Sequence, residues 1–244
     1  MLISHSYKFI FIRTMKTAST SVESFFMPYC MSPADRKRYT DILNLKHEKI
    51  SKYGIVSCEG TWEKLRKNGC KFGPHIGAEV INKCLGQMGL DQVFNDYKKF
   101  SIVRNPWDTI VSRYFFSKIE RKSYPLNKIK NDLIDFIKKH ESVPTRHGTV
   151  EGIIEINKPT NLWVLTIDGE LICDYYIRYE SLQEDIKNIC KQLNIENINL
   201  GSLSKFRSNS RPKLDYRECY TKEAIDLVGE IYKEYIEVFN YKFD

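Results

Sequence analysis

A hydroxyl-rich segment near the N-terminus has the residue types needed to bind an anion. It runs Arg13-Thr-Met-Lys-Thr-Ala-Ser-Thr-Ser21, and every residue except Met15 and Ala18 is Lys, Arg, Thr or Ser. The segment lies between a short apolar run and a helical pattern, where backbone N–H groups at the helix start are available to an anion. These features indicate an anion-binding loop. On composition alone, a solvated polar turn that caps the helix remains an open alternative.

Arg104 and Ser112 form a second candidate for anion binding. Arg104 ends an apolar run, and Ser112 follows eight residues later, which is about two turns of a helix. A guanidinium and a hydroxyl so placed can hold a phosphate, because arginine binds phosphate oxygens in a bidentate geometry. The open alternative is an ion pair between Arg104 and a core carboxylate, with Ser112 unused on the helix face.

Two short apolar runs predict the strands that position these segments. Residues 8–12 and 99–103 read Lys-Phe-Ile-Phe-Ile and Lys-Phe-Ser-Ile-Val, as expected of strands buried on both faces of a parallel sheet. Thr20 and Glu23 have capping-box spacing at the start of the first helix. For the second helix, Asn105-Pro-Trp-Asp108 supplies an N-cap residue, a proline for the first turn and an acidic side chain.

The remaining signals complete an α/β pattern. Asp168-Gly169 separates the apolar stretches 162–167 and 171–177 and predicts a hairpin turn. Amphipathic helices are expected near 180–194 and 221–237. This order predicts one domain over the full 244 residues, with a three-layer, P-loop-like α/β fold in which helices flank a mainly parallel central sheet.

Composition narrows the class of protein. A formal net charge of +7 suits an anionic ligand without specifying it. The seven cysteines lack zinc-ligand spacing, so we expect reduced, mostly buried thiols and no metal site. The sequence has no signal peptide and no apolar stretch long enough to span a bilayer, so we expect a cytoplasmic protein without an integral membrane segment.

Taken in order, these segments resemble the PAPS-dependent sulfotransferases, in particular the branch of heparan/chondroitin-type and bacterial carbohydrate sulfotransferases. Residues 8–21 resemble that family's 5′-phosphosulfate-binding loop, and residues 100–114 resemble its 3′-phosphate-binding element. Residues 177–182 are similar to the strand-to-helix element that follows, and residues 220–241 to the C-terminal helix. Any one of these matches is weak, whereas four in the family's order are specific.

The resemblance implies a donor and a reaction. The donor is 3′-phosphoadenosine-5′-phosphosulfate (PAPS), the product nucleotide is PAP, and the sulfuryl group passes by in-line displacement to a hydroxyl of an acceptor. The branch implies a carbohydrate or glycoconjugate acceptor, acidic saccharides included. Several basic residues either attract such a saccharide or form the solvated face of helices: Lys118, Arg121, Lys122, Lys128 and Lys130.

The same resemblance assigns the residues that bind the donor. Those that surround the 5′-phosphosulfate are Lys16, Thr17, Ser19, Thr20 and Ser21. Arg104 and Ser112 take the 3′-phosphate. The chain has Ser19 where the family usually has glycine and Met15 where proline is common, so the backbone at position 19 must accept a Cβ.

Catalysis of this transfer requires a cation near the leaving oxygen and a base near the acceptor hydroxyl. By resemblance, Lys16 is the cation. His75, in a stretch similar to the family's histidine-containing segment, is the predicted general base, because an imidazole titrates near neutral pH. Glu79, Glu59 and His47 are the reserve candidates for the base.

Three further groups of residues have two interpretations each. Arg211 and Lys213 lie in a stretch that takes the place of a family loop over the nucleotide. Either one of them reaches the 3′-phosphate, or both belong to a basic surface loop. His140 and His147 are solvated or face the acceptor. The three tryptophans line an acceptor groove or belong to the core, and for Trp107 we expect the core.

Two other classes of function fit part of the pattern. A P-loop nucleotide kinase shares the strand–loop–helix design, but its Walker loop needs Gly-x-x-x-x-Gly-Lys-Ser/Thr, and residues 13–21 contain no glycine. A non-catalytic polyanion-binding protein agrees with the basic charge, but the basic residues are dispersed and no nucleic-acid-binding motif is present. The sequence therefore favours a sulfotransferase, without nucleic acid among its expected partners.

Overall fold

The computed structural model describes residues 1–38, 45, 47–58, 60, 62–141, 145–148, 153–156, 160–203 and 212–244. The strands are β1 (Leu2–Ser4), β2 (Phe9–Ile12), β3 (Lys49–Ser51), β4 (Gly54–Val56), β5 (Lys98–Val103), β6 (Thr145–Gly148), β7 (Ile153–Ile156), β8 (Thr166–Ile167), β9 (Glu170–Leu171) and β10 (Tyr175–Arg178). The α-helices are α1 (Ser19–Phe26), α2 (Pro33–Arg38), α3 (Trp62–Lys67), α4 (Ala78–Gln87), α5 (Asp91–Asp96), α6 (Pro106–Ser117), α7 (Leu126–His140), α8 (Thr160–Trp163), α9 (Leu182–Gln192), α10 (Lys222–Ile231) and α11 (Lys233–Phe239).

Within these residues, six strands form the central sheet in the order β10-β5-β2-β1-β4-β3. The three strands β10, β5 and β2 are mutually parallel. β1 is antiparallel to both of its neighbours, β2 and β4, and β3 is antiparallel to β4. Four of the six strands therefore point the same way, and the site predicted from the sequence follows two adjacent members of the parallel group.

Helices pack on both faces of this sheet. Along β2, Phe9 and Phe11 face a core shared with α1 and α9, whereas Ile10 and Ile12 face a larger core shared with α4, α6, α7, α10 and α11. All four of these side chains are fully buried, which explains why the strand is an unbroken apolar run. The predicted three-layer α/β fold is confirmed.

The start of α6 follows the sequence prediction. The Asn105 side-chain oxygen accepts hydrogen bonds from the backbone N–H groups of Trp107 and Asp108, at 3.0 and 3.4 Å. Pro106 occupies the first turn, where its missing N–H costs nothing. Trp107 belongs to the core, as expected. This cap fixes the point at which the chain leaves β5, and therefore the position of Arg104.

The predicted turn at Asp168-Gly169 is also present. Both residues have positive φ, 52° and 86°, and they join β8 to β9, as a tight hairpin requires. The stretch 162–167 is not one strand, however. Its first part belongs to α8, and only Thr166–Ile167 pairs with the next strand.

The predicted capping box at the start of α1 is wrong. The helix begins at Ser19 after Ala18, and no side chain caps it. The Glu23 carboxylate instead accepts a hydrogen bond from the Arg13 guanidinium at 2.9 Å, and the same guanidinium donates to the Thr20 hydroxyl at 2.9 Å. Arg13 and Glu23 are both buried, and a buried charge requires an opposite charge beside it. That pairing takes precedence over the cap.

The seven cysteines are free thiols, and all except the half-buried Cys173 are buried. Burial raises the pKa of the Cys190 thiol to about 11, which keeps it protonated and unreactive. In the part of the chain that the structure describes, no helix combines the length and the apolar character that crossing a membrane demands.

Candidate active site

The loop between β2 and α1 holds Lys16 and Ala18 in the left-handed region of backbone conformation, with φ of 60° and 65°. Such a conformation costs a residue with a Cβ about 1–2 kcal/mol, so the loop is held in this shape by its surroundings. Ser19 is the first residue of the helix and has no positive φ. The serine in place of the family's glycine is therefore accommodated without strain.

Hydroxyl groups inside this loop bond to one another and to the sheet. The Thr14 hydroxyl donates to the carbonyl of Ile102 on β5 at 2.5 Å, so the Thr17 hydroxyl, 2.8 Å from it, must be the donor of that pair. The Ser19 hydroxyl donates to the Thr14 carbonyl at 2.6 Å. The hydroxyl hydrogens of Thr17 and Ser19 are thus used in hydrogen bonds within the protein. An anion would therefore be bound by the backbone N–H groups of these two residues.

Thr20 differs from these two residues. Its hydroxyl oxygen accepts a hydrogen bond from Arg13, which leaves its own hydrogen to be donated. Thr20 is half-buried at the start of α1, and Ser21 beside it is 7% exposed. The Thr20 hydroxyl is oriented by the hydrogen bond from Arg13, so its own hydrogen can be donated to an anion.

Arg104 joins the two predicted anion-binding segments. Its guanidinium donates to the carbonyl oxygen of Lys16 at 2.9 Å. It also pairs with Asp108 in the first turn of α6, at 2.6 Å, and stacks 3.9 Å from the centre of the Tyr179 ring. Arg104 thus pairs with a buried carboxylate, as the alternative interpretation of the sequence expected. The same guanidinium also contacts the loop between β2 and α1 directly.

The backbone around Arg104 is fixed by the C-terminal part of the chain. The Tyr235 hydroxyl accepts a hydrogen bond from the Arg104 N–H at 3.2 Å and donates to its carbonyl at 3.3 Å. The next N–H, of Asn105, donates to Glu180 at 2.7 Å. Ser112 lies further along α6 and is 7% exposed. The segment similar to the family's C-terminal helix therefore supports the candidate 3′-phosphate site.

The Lys16 ammonium lies over the ring of Phe116, 3.8 Å from its centre. Phe116 is near the end of α6, one turn beyond Ser112, and is 51% exposed. A cation over an aromatic face is stabilised by the negative charge of that face. This contact places the predicted catalytic cation at an open surface next to α6.

His75 also contacts the loop between β2 and α1. Its Nδ1 is 3.3 Å from the Arg13 carbonyl oxygen. Because a carbonyl only accepts, Nδ1 carries the hydrogen and Nε2 is left as the basic nitrogen. Burial, and then the charge of Arg13, lower the pKa of His75 to about 3. The imidazole is therefore neutral at physiological pH, but the expectation that it titrates near neutral pH is wrong, because burial disfavours the charged form.

The other predicted residues take no part in the contacts described above or lie outside the described residues. Glu79 and His47 are exposed, and Lys213 is exposed as well. His140 is an exposed residue whose ring lies 4.8 Å from that of Phe136. The remaining predictions fall on residues or side chains outside the described ones: Arg211, Glu59, Trp62 and the side chain of His147.

The basic residues that follow α6 do not form one uniform surface. Arg121 is buried, pairs with Asp132 at 3.1 Å and donates to the Tyr114 carbonyl at 3.0 Å. Its role is structural. Lys118 and Lys128 are exposed, and the Lys128 ammonium lies 3.7 Å from the centre of the Tyr124 ring.

Asn161 is a contact residue of this loop that sequence reasoning missed. This residue of α8 is 8% exposed, and its side-chain amide accepts a hydrogen bond from the Met15 N–H at 2.7 Å and donates to the Met15 carbonyl at 2.9 Å. A lone asparagine, 146 residues away along the chain, carries no local signal for such a contact. The contacts of Tyr179 and Phe116 were likewise not predictable from spacing.

Comparison with known proteins gives one family match. A comparison with curated proteins finds no relative. Residues 1–151 match the model of the family described as the sulfotransferase family, and these residues are more than half of the 244 in the chain. The matched part includes Lys16, His75, Arg104 and Ser112.

Proposed function

The chain belongs to the sulfotransferase family, and we propose that it transfers a sulfuryl group from PAPS to a hydroxyl of a carbohydrate or glycoconjugate. Membership of the family makes the protein a transferase of sulfuryl groups. The nucleotide donor and the class of acceptor are the parts that we infer from the site.

The contact between Arg104 and the Lys16 carbonyl is the observation that carries the proposal. β2 and β5 are adjacent and parallel, so the two loops that follow them meet at one edge of the sheet, where α/β proteins bind their ligands. A donor with phosphate groups at both the 5′ and 3′ ends of its nucleoside suits two basic segments joined in this way. A donor with a 5′-phosphate chain alone offers no second phosphate to the segment of Arg104 and Ser112.

In the proposed reaction the acceptor oxygen attacks sulfur, and the bond between sulfur and the bridging phosphate oxygen breaks. The electron pair of that bond stays on the phosphate of PAP. Lys16 stabilises the growing negative charge, as donors aimed at a developing oxyanion do. Nε2 of His75 takes the acceptor proton as the new sulfur–oxygen bond forms. The reaction balances without any further reactant.

The surroundings of Lys16 support an extended polar acceptor. Phe116 presents an exposed ring beside the ammonium, and Lys118 is exposed just beyond it. An aromatic face suits the apolar face of a sugar ring, and an exposed cation attracts acidic groups on a saccharide. We therefore infer that acidic saccharides are the acceptors to test first.

A transfer assay with ³⁵S-labelled PAPS and a panel of saccharide acceptors tests the proposal. We expect the wild-type protein to label at least one acceptor and the Lys16→Ala variant to be slower by about 10²–10³-fold, the usual cost of losing one oxyanion-stabilising group. Lys8→Ala is the matched control, because Lys8 is also a lysine with positive φ, 50°, and it lies exposed at the opposite end of β2, whereas Lys16 is half-buried. Equal rates for the wild type and Lys16→Ala would contradict the role of Lys16.

A further inference from the structure

We propose that Asn161 is a positioning residue that holds Lys16 in its reactive orientation. Its amide bonds both the N–H and the carbonyl of Met15, the residue immediately before Lys16. This pair of hydrogen bonds, called the Asn161 clamp below, reproduces what a neighbouring β-strand offers to a backbone. It extends the support of β2 beyond Ile12, where the strand ends.

The clamp fixes one of the two peptide groups that flank Lys16, and Arg104 fixes the other. The carbonyl of Met15 is held by Asn161, and the carbonyl of Lys16 by Arg104, each at 2.9 Å. Between them Lys16 has a φ of 60°. A lysine that loses either support can relax toward a negative φ, which is favoured by about 1–2 kcal/mol. Relaxation turns the side chain away from its present direction.

The element that carries Asn161 also contacts the segment that holds His75. The backbone N–H of Ala78 donates to the carbonyl of Val164, just after α8, at 2.9 Å. A Cβ placed on Gly77 would lie 2.4 Å from Cζ3 of Trp163, so the two segments are in close contact there. The short helix α8 is therefore a common support for both predicted catalytic residues.

The consequence for the reaction rests on the proposed function. If the clamp sets the direction of Lys16, its loss should slow the chemical step more than it weakens donor binding. Neither Asn161 nor Met15 takes part in the pair of Arg104 with Asp108 or in the hydrogen bonds at the start of α1. A misplacement of about 1 Å can cost about 100-fold in rate.

The test compares Asn161→Ala and the isosteric Asn161→Asp with Ser4→Ala. Aspartate keeps the acceptor for the Met15 N–H but has no donor for its carbonyl. Ser4 is the matched control, because its buried hydroxyl also bonds one backbone carbonyl, of Tyr29 at 2.7 Å, and one backbone N–H, of Tyr7 at 3.2 Å. Ser4 ends β1, which is antiparallel to β2, at the end of the sheet away from Lys16.

We expect both Asn161 variants to lower kcat about 10- to 100-fold, with KM for PAPS changed less than about threefold, and Ser4→Ala to keep kcat within about twofold. Trypsin cleavage between Lys16 and Thr17 is measured by mass spectrometry relative to cleavage after Lys118. This relative cleavage should be faster than in the wild type for both Asn161 variants and unchanged for Ser4→Ala. Wild-type kcat in either Asn161 variant overturns the proposal, and so does unchanged relative cleavage.

The cleavage measurement needs no donor and no acceptor, so it separates the two proposals. A wild-type protein that fails to turn over PAPS contradicts the proposed function. The relative cleavage at Lys16 then still decides whether Asn161 holds the loop. If Asn161→Ala fails to fold, the same comparison is made with Asn161→Asp, whose side chain has the same size.

Discussion

Lys16 and His75 share an unusual backbone conformation. Both have positive φ, 60° and 55°, and neither is glycine. Strain of this kind persists where the surrounding contacts determine the backbone, and it is concentrated at functional sites. Here the contacts are known: Asn161 and Arg104 hold the peptides beside Lys16, and His75 bonds the carbonyl of Arg13 in the same loop.

The first prediction concerns His75 as the base. Asparagine at this position keeps a donor for the Arg13 carbonyl but has no group at the place of Nε2. His75→Asn should therefore lower kcat by about 10²–10⁴-fold, the usual contribution of general-base catalysis, while calorimetry shows unchanged PAP affinity. His47→Asn, at an exposed histidine, is the control. A His75→Asn enzyme with normal kcat would move the base to Glu79 or another residue.

The pH profile gives a second prediction about the same residue. The pKa of His75 is lowered to about 3 by burial and by Arg13, so the imidazole stays neutral throughout the range of an ordinary assay. The acid limb of kcat/KM, which reports the free enzyme, should show no inflection near pH 6.5 from this group. An inflection at pH 6.5 that is present in the wild type and missing in His75→Asn would show that burial does not lower the pKa of His75.

At the scale of elements, a single substitution can probe the close contact between α8 and the start of α4. A Cβ on Gly77 would lie 2.4 Å from Trp163. Gly77→Ala should therefore lower the free energy of unfolding by about 1–3 kcal/mol, as overpacking does, and should slow transfer because the His75 segment is displaced. Urea denaturation and the ³⁵S assay measure the two effects.

Gly229→Ala is the control for that substitution. Gly229 lies within α10, and a Cβ there meets no atom within 4 Å. Alanine in a helix interior should raise stability by about 0.5–1 kcal/mol. If Gly77→Ala is as stable and as active as the control, the close contact of α8 with the His75 segment is not needed for the site.

Elements with strong local signals were predictable from the sequence. β2 and β5 are continuous apolar runs, and Asn105 caps α6 through its own side chain, so the information lies within a few residues. The capping box at Glu23 was wrong because its partner, Arg13, is supplied by tertiary structure. The strands β1, β3 and β4 have three residues each, too few to establish a period.

Part of the site was predictable from the sequence, because some of its residues lie in segments with strong local signals. Lys16, Arg104 and His75 lie in segments whose residue order resembles a family, and the structure connects all three to one loop. Asn161 and Phe116 reach that loop through the fold alone. The sequence also could not show that Asp108 already pairs with Arg104, because that choice depends on rotamers within a buried turn.

At the scale of the whole molecule, stability should depend on pH through His75. In the unfolded chain its pKa is the ordinary 6.5, and in the folded protein it is about 3. Between these values only the unfolded state binds the proton, so the free energy of unfolding falls as pH falls below 6.5. The fall is at most about 1.4 kcal/mol per pH unit, and solvent reaching the half-buried ring reduces it.

Urea denaturation of the wild type and His75→Asn at pH 7.5, 6.5 and 5.5 isolates this contribution, since other groups titrate equally in both proteins. The stability of the wild type relative to His75→Asn should fall by up to about 0.4 kcal/mol between pH 7.5 and 6.5 and by up to about 1 kcal/mol more at pH 5.5. A difference between the two proteins that is constant down to pH 5.5 would show that His75 is not held neutral by the fold.

We propose that Lys16 and Arg104 bind one nucleotide that has phosphate groups at both ends. Titration calorimetry of the wild-type protein with PAP and with 5′-AMP tests it without any acceptor. Because the 3′-phosphate gains charged hydrogen bonds, PAP should bind about 10- to 100-fold more tightly than 5′-AMP. Arg104→Lys should reduce this difference in affinity. Arg113→Lys changes an arginine of α6 that pairs with Glu141 at the end of α7, and it should preserve the difference. Equal affinity of the wild type for PAP and 5′-AMP would contradict the binding of a 3′-phosphate at Arg104.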